Sequence, residues 1–383
     1  YGEQGIAHSG LRTLLTGRRP ISEKLQNVKW TKIKTDLALA TSGELFQKLV
    51  NYVVLMLLTR YLTPATMGQF FFAATLSSFF AMMSSLGTGR YLARAVAQEP
   101  DNALVHLGDV LSLRLPIVAA ALVLLNATLP LLQPEISGIV FLTSVYVLVG
   151  DLYYSFGAFF TGMRRMGLRI VTGAIGPLLL AVLIVLGVRR DVTLHTLLGF
   201  YIIANFALVA SAYLAVRLFF GPIPIRFRAG AARRIFSYSW SLFLLMLLGV
   251  LQFKIDTVMI WLLASSAAVA EYETAYKLLE ASRLIVRPAS MVYFPVCAAL
   301  AASADWTALR SFFNRLSLAA GILGGAVAAV VLAVADHLMP LIWGPQYASS
   351  GATLQVLFLS TPAVFVGFVA VFTTSAMHLE RTA

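Results

Sequence analysis

The sequence is short of the residues that build disulfides and metal clusters. Its 383 residues include one cysteine, Cys297, so an intrachain disulfide is excluded, and the apolar run around it suggests no metal site. The five histidines lie near the ends of apolar runs and show no metal-ligand spacing; they are His8, His106, His195, His337 and His378. No cofactor and no metal are therefore expected.

Charged residues are also scarce. They make up 12% of the chain while apolar residues make up 59%, against roughly 25% charged residues in soluble domains. This composition is typical of a polytopic membrane protein. Because backbone polar groups at membrane depth must be satisfied within their own segment, it predicts an all-α fold.

The few charges are mostly basic, with 29 Lys and Arg against 17 Asp and Glu. In a soluble protein this excess would suggest a nucleic-acid partner. Here the basic residues cluster between apolar runs, which is the pattern that sets membrane orientation. We therefore expect membrane lipids, and no nucleic acid, around this chain.

Two classes of machinery are missing from the sequence. It has no Gly-rich phosphate loop followed by Lys and Ser or Thr, and no polar stretch long enough for a nucleotide-binding domain, which disfavours a primary pump. A membrane-embedded glycan-processing enzyme would need acid and base groups near a sizeable loop, and the loops are short. The sequence therefore predicts a protein that is not an enzyme, with the embedded enzyme as the weaker alternative.

Ten apolar stretches dominate the chain, most of them near the 20 residues that cross the hydrocarbon core of a bilayer. They are predicted near 35–60, 67–88, 105–132, 136–162, 168–188, 192–220, 235–263, 268–300, 308–343 and 351–377.

The basic residues alternate between the two sides of these spans. The leading segment and the even-numbered connections hold 20 of the 29, the opposite side holds three, and six lie within helices. Since Lys and Arg are retained in the cytoplasm, both ends of the chain are predicted to be cytoplasmic.

The segment 219–234, FFGPIPIRFRAGAARR, combines two prolines with four arginines and predicts a linker between two halves. The halves resemble each other weakly at an offset of 202 residues, with Gly68 over Ala270, which indicates a parallel repeat. The predicted organisation is a cytoplasmic tail over 1–34, an N-lobe of six helices over 35–220, a cytoplasmic linker over 221–234, and the first four helices of a C-lobe over 235–383. About two further helices are expected after Ala383.

The stretch 254–300 carries the most informative charges, because a charged side chain near the bilayer centre is costly and usually faces a polar cavity. Tyr276, Glu280, Arg283 and Arg287 fall on one helical stripe, with Lys277 beside it. Together they predict a substrate-binding wall. The alternative pairs Arg283 with Glu280 or a neighbouring carboxylate and extends Arg287, next to Pro288, toward the interface.

The first helix offers a second polar face, since Glu44, Lys48 and Asn51 follow each other at helical spacing. Glu before Lys is the favourable order for an intrahelical pair. Lys48 and Asn51 are predicted to contact substrate and Glu44 to couple an ion. The alternative is a self-neutralised pair facing the other helices.

Three more carboxylates lie within apolar helices. Asp151 has no charged neighbour in its own helix and is predicted to be an unpaired proton site, against a helix-to-helix hydrogen bond as the alternative. Asp109 is expected at an interface and on a different face from Arg114. Asp256 is expected to be structural, and Lys254 to extend toward water.

Three runs carry a family resemblance: 57–94, with its leucine-rich turn before Pro and Gly; 256–296; and 338–357, with Gly344, Pro345, Tyr347 and Leu354 in order. They resemble the first hairpin, the seventh and eighth helices, and the ninth-to-tenth connection of polysaccharide transporters. This is similar to the oligosaccharide flippases of the multidrug, oligosaccharidyl-lipid and polysaccharide exporter superfamily, which move O-antigen and exopolysaccharide repeat units.

The resemblance implies two pseudo-symmetric helix bundles around a central cavity that opens alternately to each side. It implies an undecaprenyl-pyrophosphate-linked oligosaccharide as substrate, the bacterial inner membrane as location, and a polysaccharide polymerase and glycosyltransferases as partners. The rival within the superfamily is a multidrug cation exporter. A cation site needs unpaired carboxylates, whereas the arginines and lysines here suit a pyrophosphate.

Overall fold

The computed structural model describes residues 30–187 and 193–381; side chains are described throughout these ranges except at 30–42, 44, 132, 287–292, 295 and 378–381. The tail over 1–29 and the connection over 188–192 lie outside the described residues. The described chain holds twelve α-helices and no strand. They are α1 Trp30–Tyr61, α2 Pro64–Ser85, α3 Thr88–Gln98, α4 Ala103–Leu132, α5 Ser137–Gly162, α6 Met166–Gly187, α7 Leu194–Phe219, α8 Ala229–Leu263, α9 Ser266–Ala302, α10 Trp306–Trp343, α11 Ser350–Phe358 and α12 Thr361–Arg381.

The all-helical prediction is confirmed. Seven helical segments of the described chain are long and apolar enough to cross a membrane, and an eighth candidate is the pair α11 and α12, bent by 43°. Helix α9 has the length but carries five charged side chains between Glu271 and Arg283. The positions of the helices agree with the ten predicted stretches.

Local sequence signals set several helix ends. The side chain of Thr63 accepts a hydrogen bond from the backbone N–H of Thr66, and Pro64 occupies the first helical position of α2, where its missing N–H has no cost. Ser265 caps α9 and Asp305 caps α10 in the same way. These caps make tight hairpins that hold consecutive helices side by side.

The structure differs from the predicted stretches in three places. The second stretch ends close to its predicted limit, at Ser85, but the chain turns at Leu86 and Gly87, both with positive φ, and continues as α3, a helix that was not predicted. The tenth stretch is broken between Phe358 and Thr361. Helix α8 begins at Ala229, inside the predicted linker, so the connection between the halves is about two thirds as long as predicted.

The two halves of the chain meet mainly where α2 packs against α8 and α9. Gly68 on α2 lies so close to the backbone carbonyl of Ser266 that a Cβ at this position would overlap it. Beside it, Phe72 stacks on Trp261 with ring centres 4.3 Å apart. Glycine is needed here because the helices touch backbone to backbone.

The connection between the halves is held against α4. Arg228 donates from Nε to Asp109 Oδ1 over 2.8 Å, and the two form an ion pair. This hydrogen bond raises the pKa of Arg228 above its ordinary value. Asp109 is buried among side chains at the level of this connection, so nothing contradicts its predicted position near the membrane interface. Its burial is tolerated because Arg228 supplies the opposite charge.

Candidate functional site

A cavity of about 500 Å³ lies between the halves and forms the candidate site. Helices α1, α2, α5, α6 and α7 line one side of it, and α8 and α9 line the other. A smaller cavity of about 210 Å³ adjoins it through the shared residues Asn51, Leu55 and Lys277. The two form a continuous polar space at the depth of the middle of α1 and α9.

The wall of α8 and α9 is charged. Lys254 Nζ lies 2.9 Å from Glu273 Oε1 and 3.1 Å from Oε2, and Thr257 donates to the same carboxylate over 2.5 Å. Glu273 is 1% exposed, whereas the side chain of Lys254 is 24% exposed. Lys254 pairs across the helix hairpin while its side chain stays partly open to the cavity, so the structure adds a carboxylate partner that the sequence did not predict.

One turn along α9, Lys277 pairs with Glu280 at 3.0 Å. Both line the smaller cavity with Lys48 and Asn51 of α1, as predicted from the two polar faces. Tyr52 donates its hydroxyl to the backbone carbonyl of Lys277 over 2.9 Å and so ties α1 to α9. The structure brings together four of the predicted substrate-binding residues on facing helices.

Arg283 lies on the same helix face but has no carboxylate partner among the described side chains. Its guanidinium lies 4.7 Å from the centre of the Phe253 ring and 5.7 Å from that of Tyr276, and Nη2 donates to the Tyr276 hydroxyl over 3.2 Å. Its Nε is buried without a hydrogen-bond acceptor. The alternative of an Arg283–Glu280 pair is excluded here, because Glu280 pairs with Lys277. Arg283 is thus a preoriented cation with unused donor capacity.

The opposite wall, from α5, α6 and α7, is uncharged. Tyr146 and Tyr201 lie with ring centres 4.9 Å apart, Asn205 adds an amide, and Gln47 of the adjoining α1 adds a second amide. Gly173 leaves the space beside Gln47 and Tyr153 open, since a Cβ there would lie 2.7 Å from the Tyr153 hydroxyl. The cavity therefore has one ionic wall and one aromatic and amide wall.

A further cavity of about 700 Å³ lies between α1, α3, α5 and α6 of the first half, with Met246 of α8 also in its lining, and Lys48 and Arg90 are among its lining residues. At its edge Arg114, 1% exposed, pairs with Asp151 and donates to Ser155 Oγ over 2.7 Å. The prediction that Asp151 is unpaired was wrong, because Arg114, thought to face elsewhere, reaches it from α4. A role for Asp151 in ion coupling stays a prediction.

One end of the central cavity is closed by contacts between the halves. Arg60 donates to the carbonyl of Leu341 over 2.7 Å, and Gln346 donates to the carbonyl of Thr59. Trp261 donates to Gln133 Oε1 over 2.9 Å. The lining of the 700 Å³ cavity includes Gly43, closer to the start of α1.

Two predicted site residues, Glu44 and Arg287, have side chains outside the described set, so their predicted roles stay untested. Glu273 was missed by sequence reasoning. Its position relative to the turn could have identified it. Lys254 and Glu273 lie at similar distances along the chain on either side of the turn at Ala264 and Ser265, so a tight hairpin brings them to the same depth in the membrane. Asp256, expected to be structural, accepts a hydrogen bond from Tyr272 over 2.6 Å.

Residues 33–301, well over half of the chain, match the family described as "Polysaccharide biosynthesis protein". The chain belongs to this family. It is therefore a multi-pass membrane protein and a transporter of the superfamily that includes multidrug and polysaccharide exporters. No curated protein sequence matches it.

Solved structures of this superfamily share the fold. One, titled an inward-facing conformation of a multidrug resistance MATE family transporter, is 16% identical with a TM-score of 0.60, covering 86% of this chain and 80% of its own. A second structure, titled an outward-facing conformation of a multidrug resistance MATE family transporter, is 16% identical with a TM-score of 0.52, and the match covers 91% of this chain and 81% of that one. A transporter from Pyrococcus furiosus, with 15% identity, a TM-score of 0.51 and the same two coverages, is titled for the "reverse polarity" of its binding pocket.

Proposed function

We propose that this member of the polysaccharide biosynthesis family moves a lipid-linked oligosaccharide with an undecaprenyl-pyrophosphate anchor from the cytoplasmic to the periplasmic leaflet. The observation that carries the proposal is the charge of the α8–α9 wall and the facing part of α1. Three cations among the described side chains line the two cavities, Lys48, Lys254 and Lys277, against the carboxylates of Glu273 and Glu280, and Arg283 adds a fourth positive charge further along α9. A pyrophosphate would neutralise that excess.

Arg283 is the anchor we assign to the pyrophosphate. A guanidinium presents five donors in a fixed fork, and its hydrogen bonds to phosphate oxygens are roughly twice as strong as neutral ones. Phe253 and Tyr276 already hold its plane, so little rotamer entropy remains to be lost when the anion binds. Arg287, one turn further along α9, is the second proposed anchor.

The aromatic and amide wall is the part of the cavity that would contact the glycan. Sugar hydroxyls both donate and accept, and Asn205 and Gln47 carry one group of each kind. The faces of Tyr146 and Tyr201 carry negative partial charge, which suits the C–H groups of a sugar ring. Because one wall is ionic and the other carries aromatic and amide groups, the cavity suits a substrate with an anionic end and a polar, uncharged end.

Substitution at Arg283 tests the anchor. Arg283→Lys keeps the charge and removes the fork, so glycan export by cells lacking the chromosomal copy should fall several-fold, and Arg283→Ala should fall further. Arg315→Lys, an exposed arginine of α10 outside the cavity, is the matched control. Export at the parent rate by both Arg283 variants, at equal protein level, would refute the assignment. The same pair of substitutions at Arg287 tests the second anchor.

The rival activity is export of organic cations. The carboxylates Glu273 and Glu280 are the groups that such a cation would need, but each is paired with a lysine. Purified protein should therefore bind farnesyl pyrophosphate, with competition from inorganic pyrophosphate, and should not bind ethidium. Ethidium binding that Glu280→Gln abolishes, with no pyrophosphate binding, would favour the cation exporter.

We propose the bacterial inner membrane as location, with the start of α1 on the cytoplasmic side, so that the closed end at Arg60 faces the periplasm. The chain's one cysteine is buried, which makes a Cys297→Ser background suitable for labelling. Cysteines at Ser265 and Ser349 should react with an impermeant maleimide in whole cells. Cysteines at Gly230 and Ala302 should react only after permeabilisation. The reversed pattern would refute the orientation.

The proposed function implies its neighbours in the cell. Glycosyltransferases would assemble the lipid-linked substrate on the cytoplasmic side, and a polysaccharide polymerase would use it after transfer. Glycosyltransferase genes adjacent to the gene for this chain would support the substrate class. Loss of surface polysaccharide with accumulation of the lipid-linked precursor, after deletion of the gene, is the expected phenotype.

A further inference from the structure

A crevice of about 460 Å³ lies between the α5–α6 turn and the end of α7, away from the central cavity. The turn contributes Arg164, Arg165 and apolar atoms of the start of α6, and α7 contributes Phe219 and Phe220. Both arginines are exposed and neither has an ion-pair or hydrogen-bond partner among the described side chains. The crevice thus combines two unneutralised guanidinium groups with an apolar wall.

The apolar wall is fixed on one side and open on the other. Phe220 packs edge to face on Phe159 with ring centres 5.1 Å apart, which holds it against the first half of the chain. Phe219 is 68% exposed and Leu218 is 70% exposed, at the end of a span-length helix. Apolar side chains at this place face the acyl region of a bilayer, next to the arginines at headgroup level.

The backbone of the turn fixes where the two arginine side chains begin. The N–H of Arg165 donates to the carbonyl of Phe160 over 2.8 Å, and the N–H of Arg164 donates to the carbonyl of Thr161 over 3.1 Å. This is the Schellman pattern, in which the residue at the position of Arg164 is left-handed and usually glycine. Arg164 has φ +55°, a conformation that arginine adopts only at a cost. The turn therefore holds Arg164 and Arg165 next to each other at the crevice.

We propose that this crevice binds the headgroup of an anionic membrane phospholipid, with the phosphate at Arg164 and Arg165 and an acyl chain along Phe219. Basic pockets between transmembrane helices at headgroup depth suit this class of lipid. Arg228 and Arg94, on the same predicted side of the membrane, already have partners, Asp109 and Tyr238. The pair at 164 and 165 is charged, unpaired and set in a crevice. The site is separate from the proposed transport function.

Native mass spectrometry of the purified full chain tests this site, with phosphatidylglycerol and phosphatidylcholine as the two probes. The parent protein should retain phosphatidylglycerol in preference to phosphatidylcholine. Arg164→Gln/Arg165→Gln should lower phosphatidylglycerol occupancy on the order of tenfold, from about a factor of several per basic residue near the membrane surface. Arg310→Gln/Arg315→Gln removes two exposed arginines from the same predicted side and should leave occupancy unchanged. Equal losses in both pairs, or none in either, would overturn the site.

A second pair of variants separates binding from folding. Arg164→Gly relieves the left-handed residue, so the melting temperature should stay the same or rise while phosphatidylglycerol occupancy falls. Ala304, with φ +53°, occupies the matching position in the α9–α10 turn, where the backbone N–H of Asp305 donates to the carbonyl of Leu300. Ala304→Gly should raise stability similarly and leave lipid occupancy unchanged. Undiminished occupancy in Arg164→Gly, or displacement of the lipid by inorganic phosphate alone, would overturn the proposal.

Discussion

Lys254 and Glu273 face each other across the α8–α9 hairpin and form a bidentate ion pair, with Lys254 Nζ 2.9 and 3.1 Å from the two carboxylate oxygens. The carboxylate is buried and the ammonium is partly open to the central cavity. Breaking a fully buried pair costs 3–5 kcal/mol because one charge is stranded. Because Lys254 is partly exposed, the cost is lower when Lys254 is the charge that loses its partner than when Glu273 is.

This asymmetry predicts unequal effects of the two single substitutions. Lys254→Met strands Glu273 in an apolar environment and should lower stability by about 3 kcal/mol, whereas Glu273→Gln leaves Lys254 open to water and should cost about 1 kcal/mol. The double variant should be more stable than Lys254→Met alone. Thermal unfolding in detergent measures all three. Strictly additive losses would show that the pair is not coupled.

The pairing of Asp151 with Arg114 changes what Asp151→Asn should do. Arg114 is 1% exposed and its other contacts are neutral: the Ser155 hydroxyl and the carbonyls of Ser84 and Asp151. Without the carboxylate its charge is uncompensated, so Asp151→Asn should lower stability by about 3 kcal/mol and reduce the amount of folded protein. The double variant Arg114→Met/Asp151→Asn should recover part of the lost stability. Normal protein level with lost, pH-independent transport in Asp151→Asn would instead support the proton site.

These pairs show which parts of the site could be predicted from sequence. Helical periodicity identified the face of Tyr276, Glu280 and Arg283, because spacing within one helix fixes which residues share a side. The partner of Asp151 lies 37 residues away on another helix, and periodicity carries no information on how two helices are rotated against each other. The same limit hid Glu273, because only the hairpin geometry of α8 and α9 shows that it faces Lys254.

Helix breaks were hard to predict for a different reason. Apolar composition continues through Leu359, so hydropathy gives no boundary at the break between Phe358 and Thr361. At Leu86 the chain adopts φ +47°, which a non-glycine residue does only when packing enforces it. Where a polar cap was present, as at Thr63 and Ser265, the sequence predicted the turn to within a few residues.

The ion pair between Asp109 and Arg228 predicts that the connection between the halves can be released by one substitution. Asp109→Asn removes the charge that holds Arg228, which is 53% exposed, so we expect faster trypsin cleavage after Arg226 and Arg228 with little change in global stability. Glu99→Gln is the control, since Glu99 is exposed nearby and contacts His106 and not the connection. Equal cleavage rates in the two variants would contradict the role of Asp109.

Gly68 predicts how the closed end of the cavity can be opened. A Cβ at this position would overlap the carbonyl oxygen of Ser266, and neither backbone can yield like a flexible side chain. Gly68→Ala should therefore destabilise the closed contact by about 2 kcal/mol, the usual cost of overpacking, and raise the fraction of open molecules about 30-fold.

A cysteine at Ala74, which lines the cavity, reports this opening through its rate of maleimide labelling from the closed side in a Cys297→Ser background. Gly325→Ala on α10 is the matched control, since a Cβ there meets nothing within 4 Å. Faster labelling in Gly68→Ala alone is the expected result, and equal rates in both variants would show that the contact between α2 and α9 does not hold the cavity closed.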